Sequence, residues 1–203
     1  MRITWIGGWG VAPESLRPAA NDYFPGSEHT FLAPTASVTD AIGSPDVTIA
    51  WSLGAWRLLE AASRSAKFGG MVLLLAPFVA FPSESQLGGK CSATQARFLR
   101  RWLQREPLAA LADFHQRAGL GTPPTELPYP ADDLLEGLDR LAEDASPQLR
   151  EFASRGLQPN WQALIGDSDT LLDGRAVCEA LQGCTLVRGA GHSIADLLRA
   201  SQA

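Results

Sequence analysis

The sequence predicts an α/β protein: a mostly parallel sheet of about six strands flanked by helices, with a helical segment inserted between two of the strands. Three observations predict it. Short apolar, β-branched runs recur at residues 2–6, 30–33, 47–51, 71–76, 161–165 and 185–188. Helix-forming stretches at 54–66 and 173–182 alternate with them, and that rhythm makes neighbouring strands parallel. Residues 80–158 interrupt the rhythm with helical patterns alone.

Each element has a local reason. Arg2-Ile3-Thr4-Trp5-Ile6 reads as a strand from the start, without the shape of a signal peptide, and runs into the glycine-rich turn Gly7-Gly8-Trp9-Gly10. Thr30-Phe31-Leu32-Ala33 supplies the second strand. Asp46-Val47-Thr48-Ile49-Ala50 supplies the third, and Ala55-Trp56-Arg57-Leu58-Leu59-Glu60-Ala61-Ala62 is a good helix former. Ser52 therefore stands on a strand-to-helix turn. Met71-Val72-Leu73-Leu74-Leu75-Ala76 fits a buried strand and falls far short of the ~20 residues that span a bilayer. In the insertion, helices fit at roughly 92–105, 107–118, 131–144 and 146–155, punctuated by Gly119-Leu120-Gly121-Thr122-Pro123-Pro124 and Leu127-Pro128-Tyr129-Pro130. The expected division is a core of residues 1–79 and 159–203 and a helical lid of residues 80–158. Such a lid covers the carboxyl edge of the sheet, where open α/β sheets bind ligands. Further on, Asp173 caps the helix at 173–182 and Gly183 stops it.

Composition narrows the function. A chain of 203 residues makes one domain with a sizeable core, and its 45% hydrophobic and 19% charged content is ordinary for a soluble protein. A net charge of −5 argues against nucleic acid as a partner, which needs a basic face. Cys91, Cys178 and Cys184 are odd in number and at no metal spacing, so no structural zinc and no metal site are expected, and a reducing cytoplasm is the expected location. No membrane contact is expected, and a monomer is.

Ala50-Trp51-Ser52-Leu53-Gly54 matches the Gly-x-Ser-x-Gly elbow with alanine in the first position. Small residues on both sides let strand and helix approach while the serine is lifted clear. The plainer alternative is a serine capping the next helix. A nucleophilic serine needs a base, and the base an orienting acid. Of three histidines, His192 follows the last strand in Gly189-Ala190-Gly191-His192. His29 lies near the second strand, and His115 lies in the insertion, where a polar or lid-face role is the default. For the acid, Gly166-Asp167-Ser168-Asp169 ends a strand, with Asp169 the first candidate and Asp167 the reserve. Either is also a plain turn carboxylate. The order Ser52…Asp169…His192 is that of the α/β-hydrolase arrangement. Acyl transfer also needs an oxyanion hole, for which the main-chain amides of Leu53 and Trp9 are the candidates, with the Trp9 indole walling the acyl pocket.

With these residues in place, the chain resembles an α/β-hydrolase-fold protein over essentially its whole length. More narrowly, it is similar to the pimeloyl-acyl-carrier-protein methyl ester esterases of biotin synthesis. The likeness rests on Gly8-Trp9-Gly10, Trp51-Ser52-Leu53-Gly54, Gly166 to Asp169, Gly191-His192, and two lid segments, 95–103 and 134–141. Gly7 replaces a usual histidine and Ala50 a usual glycine. Set against that family, the chain starts at what is elsewhere the third strand, which leaves an abbreviated sheet.

The resemblance implies a serine carboxylesterase that needs no cofactor, with Ser52, His192 and Asp169 as nucleophile, base and orienting acid. It also implies an acyl-carrier protein as the partner that delivers the substrate, contacted by Arg97, Arg100, Arg101 and Arg105. Residues 90–118 carry a local excess of +4, which suits an acidic carrier by complementary charge. A solvated helix face explains the same charges. Trp9, Trp51, Phe78, Phe81, Phe98, Trp102 and Phe114 are the expected substrate-lining aromatics, each with an ordinary core role as its alternative. A generic carboxylesterase or thioesterase and a non-catalytic binding protein of the same fold remain the other readings.

Overall fold

A computed structural model describes residues 1–201 of the chain, with side chains to residue 199. Six strands form one sheet in the order β2-β1-β3-β4-β5-β6, and every pair in it is parallel. The strands are β1 (Arg2–Ile6), β2 (Glu28–Leu32), β3 (Val47–Trp51), β4 (Met71–Leu75), β5 (Trp161–Gly166) and β6 (Cys184–Val187). The four inner strands are buried along most of their length, on both faces. Burial on both sides explains why Met71–Leu75 reads as a continuous apolar run rather than an alternating one. The edge strands β2 and β6 are only partly buried, as their mixed sequences require.

The helices are α1 (Arg17–Tyr23), α2 (Leu53–Ser63), α3 (Ala93–Arg105), α4 (Pro107–Ala118), α5 (Ala131–Leu141), α6 (Pro147–Arg155), α7 (Gly174–Ala180) and α8 (Ile194–Ser201). α1 and α8 pack together, and α6 packs on α2 and α7, which gives the sheet its two helical layers. Between β4 and β5, α3 packs on both α4 and α5. Ser92 starts α3 with a reciprocal capping box to Gln95, and Asp173 caps α7 through the amides of Arg175 and Ala176. α1 and α8 are two short helices that the sequence pattern does not announce.

The strand order reverses beside β1. The chain leaves β1 for β2 on one side, then crosses back to β3 on the other. The loops after β1 and β3 therefore open away from each other and leave a crevice at the carboxyl edge, the place where such sheets hold ligands. Gly8-Trp9-Gly10 and Ser52 stand on those two loops. Among the described residues no helix is long and apolar enough to cross a membrane.

Candidate active site

Ser52 sits between the last residue of β3 and the first of α2, with φ 55° and ψ −117°. A side-chain-bearing residue rarely adopts that conformation, and it persists only where the surroundings impose it. What imposes it is the close approach of α2 to the end of β1. A Cβ on Gly54 would lie 2.6 Å from the Gly7 carbonyl oxygen and 2.8 Å from that of Ile6, so only glycine fits. Ala50 is fully buried within β3, where its small side chain meets the same demand for close packing. Although Ser52 occupies the position before the helix, its hydroxyl caps no amide of α2. It faces His192 instead.

The hydroxyl Oγ of Ser52 lies 3.1 Å from His192 Nε2, and His192 Nδ1 lies 2.6 Å from Asp169 Oδ2. The carboxylate is fully satisfied: Asp169 Oδ1 accepts the amides of Leu171 and Leu172 at 2.8 and 3.0 Å. A carboxylate so held accepts the Nδ1 proton of the ring and leaves Nε2 free to take the proton of Ser52. The three side chains are buried, with exposures of 8, 4 and 1% for Ser52, His192 and Asp169. Low exposure strengthens each charge–dipole contact in the row. The His192 loop is pinned by the Trp51 indole, which donates to the His192 carbonyl at 2.9 Å. Asp167 has a different task. It is exposed, and its Oδ1 accepts the Gly189 amide at 2.8 Å, which ties the turn after β5 to the turn after β6.

Leu53 is the first residue of α2, so its amide has no acceptor within the helix and points with the positive end of the helix dipole. Trp9 follows the end of β1 across the crevice. Its indole lies against the inserted helices. It is buried, donates to the Leu134 carbonyl at 2.8 Å, and meets the Phe114 ring edge-on at 4.7 Å.

The expected substrate-lining aromatics lie in different settings. Phe78 and Phe81 are buried against one another, with ring centres 5.4 Å apart, and pack as core. The space beside Phe81, Phe114 and Leu138 holds only about 20 Å³. Phe98 is 58% exposed and, with Arg101, Trp102 and Arg105, lines a groove on the outer face of α3, away from Ser52. The inner face of that helix carries Ala96, Leu99 and Leu103 instead. Of the four arginines expected at a carrier, Arg100 is paired with Asp139 at 2.6 Å, whereas Arg97, Arg101 and Arg105 form no ion pair among the described residues.

A larger space lies where sequence patterning gave no sign of one. A cavity of about 450 Å³ is lined by Val11, Leu16, Trp51, His115, Leu120 and Ile194, among others. It adjoins the row of Ser52, His192 and Asp169 through Trp51 and through Ser193, the neighbour of His192. His115, expected on the lid's polar face, is buried, and its Nε2 donates to the Gly10 carbonyl at 2.8 Å. Its spacing from Leu111 and Phe114 on α4 was the available signal. His29 accepts the Trp5 indole proton at 3.1 Å, far along β2 from the crevice.

No family model and no curated protein matches this chain. Solved structures do. An esterase from Exiguobacterium antarcticum superposes with a TM-score of 0.71 at 11% identity, over 96% of this chain and 85% of its own. A hydrolase from Pseudomonas aeruginosa gives 0.66 at 13% identity, over 94% and 82%, and one from Oleispira antarctica gives 0.64 at 12%, over 98% and 86%. The chain has the α/β-hydrolase fold. At these identities the likeness concerns the fold alone.

Proposed function

We propose that this protein is a serine carboxylesterase in which Ser52 is the nucleophile, His192 the general base and Asp169 the orienting acid. The observation that carries the reading is the unbroken row Ser52 Oγ, His192 Nε2, His192 Nδ1 and Asp169 Oδ2, at 3.1 and 2.6 Å, built around a serine with positive φ. Esterases and a lipase among the solved structures of the same fold support it. Ser52 attacks the ester carbonyl as His192 takes its proton, and Asp169 stabilises the imidazolium. The amides of Leu53 and Trp9 hold the tetrahedral oxyanion. His192 returns the proton to the departing alcohol, then activates a water that frees the acyl group and Ser52.

The apolar wall of the cavity beside Trp51 suits an uncharged arm of the ester, because a charge there is desolvated without a partner. Within this reading, the substrate is the methyl ester of a pimeloyl chain carried by an acyl-carrier protein. Arg97, Arg101 and Arg105, without ion pairs among the described residues and beside exposed Phe98, support an acidic carrier on the outer face of α3. The closed packing of Phe78 and Phe81 favours a second reading, a carboxylesterase for small, uncarried esters. Methanol release from pimeloyl-carrier methyl ester separates the two. The first reading expects release by the native protein and none by Ser52→Ala. No release, with cleavage of p-nitrophenyl butyrate, leaves the small-ester reading.

A further inference from the structure

The inserted helices hold the loop that carries Trp9. Three hydrogen bonds reach Trp9 and Gly10 from the insertion, each from a different segment. The Trp9 indole N–H donates to the Leu134 carbonyl in α5 at 2.8 Å. The Gly10 amide donates to the Tyr129 hydroxyl, on the loop between α4 and α5, at 2.9 Å. His115 in α4 donates from Nε2 to the Gly10 carbonyl at 2.8 Å. Both peptide groups flanking Gly10 are thus fixed, and Gly10 holds a φ of +73° that leaves little other freedom to this turn.

Packing repeats the message. A Cβ on Gly137 would sit 2.6 Å from Trp9 Cδ1 and 3.1 Å from Leu53 Cδ2. The glycine inside α5 therefore brings that helix directly onto Trp9 and Leu53, the two residues whose amides the esterase reading assigns to the oxyanion. A glycine in a helix interior costs about 1 kcal/mol relative to alanine, so close approach is what it serves here. The Gly7 amide bonds the Leu32 carbonyl at 3.0 Å and closes the strand register just before this turn.

We infer that Tyr129 and His115 are positioning residues that aim the Trp9 main-chain amide at the oxyanion, so that the lid assembles half of the oxyanion hole. The inference rests on the esterase reading above. An amide misaimed by a few tenths of an ångström still tolerates the ground-state ester but stabilises the tetrahedral oxyanion less, so the loss falls on kcat and leaves KM in place. Removing an oxyanion donor outright costs about 10²–10³ in kcat, and loosening one costs less, on the order of tenfold.

The test uses Tyr129→Phe, His115→Ala and His115→Gln in the full chain. Steady-state kinetics on p-nitrophenyl butyrate are read beside the inhibition constant of an alkyl trifluoromethyl ketone, which adds to a serine as a tetrahedral oxyanion. Both deletions are expected to lower kcat about tenfold with KM within about twofold, and to weaken the ketone by the same factor. His115→Gln, which keeps an N–H toward Gly10, recovers most of the loss. Wild-type kcat and ketone affinity in both deletion variants overturn the inference, as does a loss confined to KM. Should His115→Ala fail to fold, Tyr129→Phe carries the test, because it removes one oxygen and no packing volume. Ser52→Ala runs in parallel. Full activity in that variant is failure of the esterase reading and takes the inference with it, whereas an inactive Ser52→Ala beside unaffected lid variants is failure of the lid inference alone.

Discussion

Gly54→Ala puts the geometry of the elbow under direct load. The added Cβ would stand 2.6 Å from the Gly7 carbonyl oxygen, 2.7 Å from Ile6 Cγ2 and 2.8 Å from the Ile6 carbonyl oxygen. Two of those three atoms are backbone at the end of β1, and β1 is fixed by parallel pairing to β2 and β3. Relieving the closest approach to even 3.0 Å takes 0.4 Å of movement between β1 and α2. Overpacking of this kind costs about 3 kcal/mol, while alanine in place of glycine in a helix returns about 1. The net loss is about 2 kcal/mol, which lowers the melting temperature by roughly 4–8 °C in a chain of this size. The same movement separates Ser52 and Leu53 from Trp9. Misplacement by 1 Å costs about 10²-fold in turnover, so half of that costs about tenfold. Thermal melts and kcat on p-nitrophenyl butyrate measure both. A variant with unchanged melting temperature and kcat refutes the claim that close contact of α2 with β1 shapes this site.

Other outcomes follow from the same contacts. Asp169→Asn lowers turnover by about 10⁴, because the ring loses the acceptor that fixes its tautomer, while Asp167→Ala stays within about threefold; steady-state kinetics that reverse this order reassign the acid. Glu136→Ala leaves the buried Arg57 guanidinium, 5% exposed, with the Pro34 carbonyl as its remaining acceptor among the described residues, at 3.3 Å. Glu136 is partly exposed, so the cost is about 2 kcal/mol rather than the full penalty of a buried pair, and a melting temperature unchanged by the substitution contradicts it. Burial holds the Tyr129 phenol well above its ordinary value of about 10, against the weaker pull of the Gly10 amide and the Arg57 charge and with the help of Asp133 and Glu136. A raised folded value means that its share of stability is intact below about pH 10 and is lost as pH rises beyond it. Denaturant melts across that range show a steeper alkaline loss in the native chain than in Tyr129→Phe; equal slopes contradict it.

How much of this was legible in the sequence depends on whether a feature is local. The strands and the turns that end them are local: β-branched runs, a glycine or small residue, then a polar side chain. Ser52, Asp169 and His192 each end such a run, and their order along the chain relates them before any coordinates do. α1 and α8 escaped because they are short, with Pro18 beside the start of one and a histidine loop leading directly into the other. On α3 the pairs Phe98/Trp102 and Leu99/Leu103 have the same spacing of four, so periodicity cannot say which pair turns inward. Packing of α3 on α4 and α5 decides it, and the larger aromatics are left outside. The cavity beside Trp51 is assembled from four separate segments and has no signature in any of them. Gly137 and Tyr129 did leave a trace, as a glycine within a helical pattern and a tyrosine between two prolines, but their partner, the loop after β1, lies more than a hundred residues away.

The most direct measurement is intact-protein and peptide mass spectrometry after treatment with a fluorophosphonate. A serine activated by His192 takes one phosphonyl group, found on the peptide containing Ser52, and Ser52→Ala takes none while His192→Ala reacts far more slowly. An unlabelled native protein, or an adduct on any other residue, contradicts the assignment of Ser52 as the nucleophile.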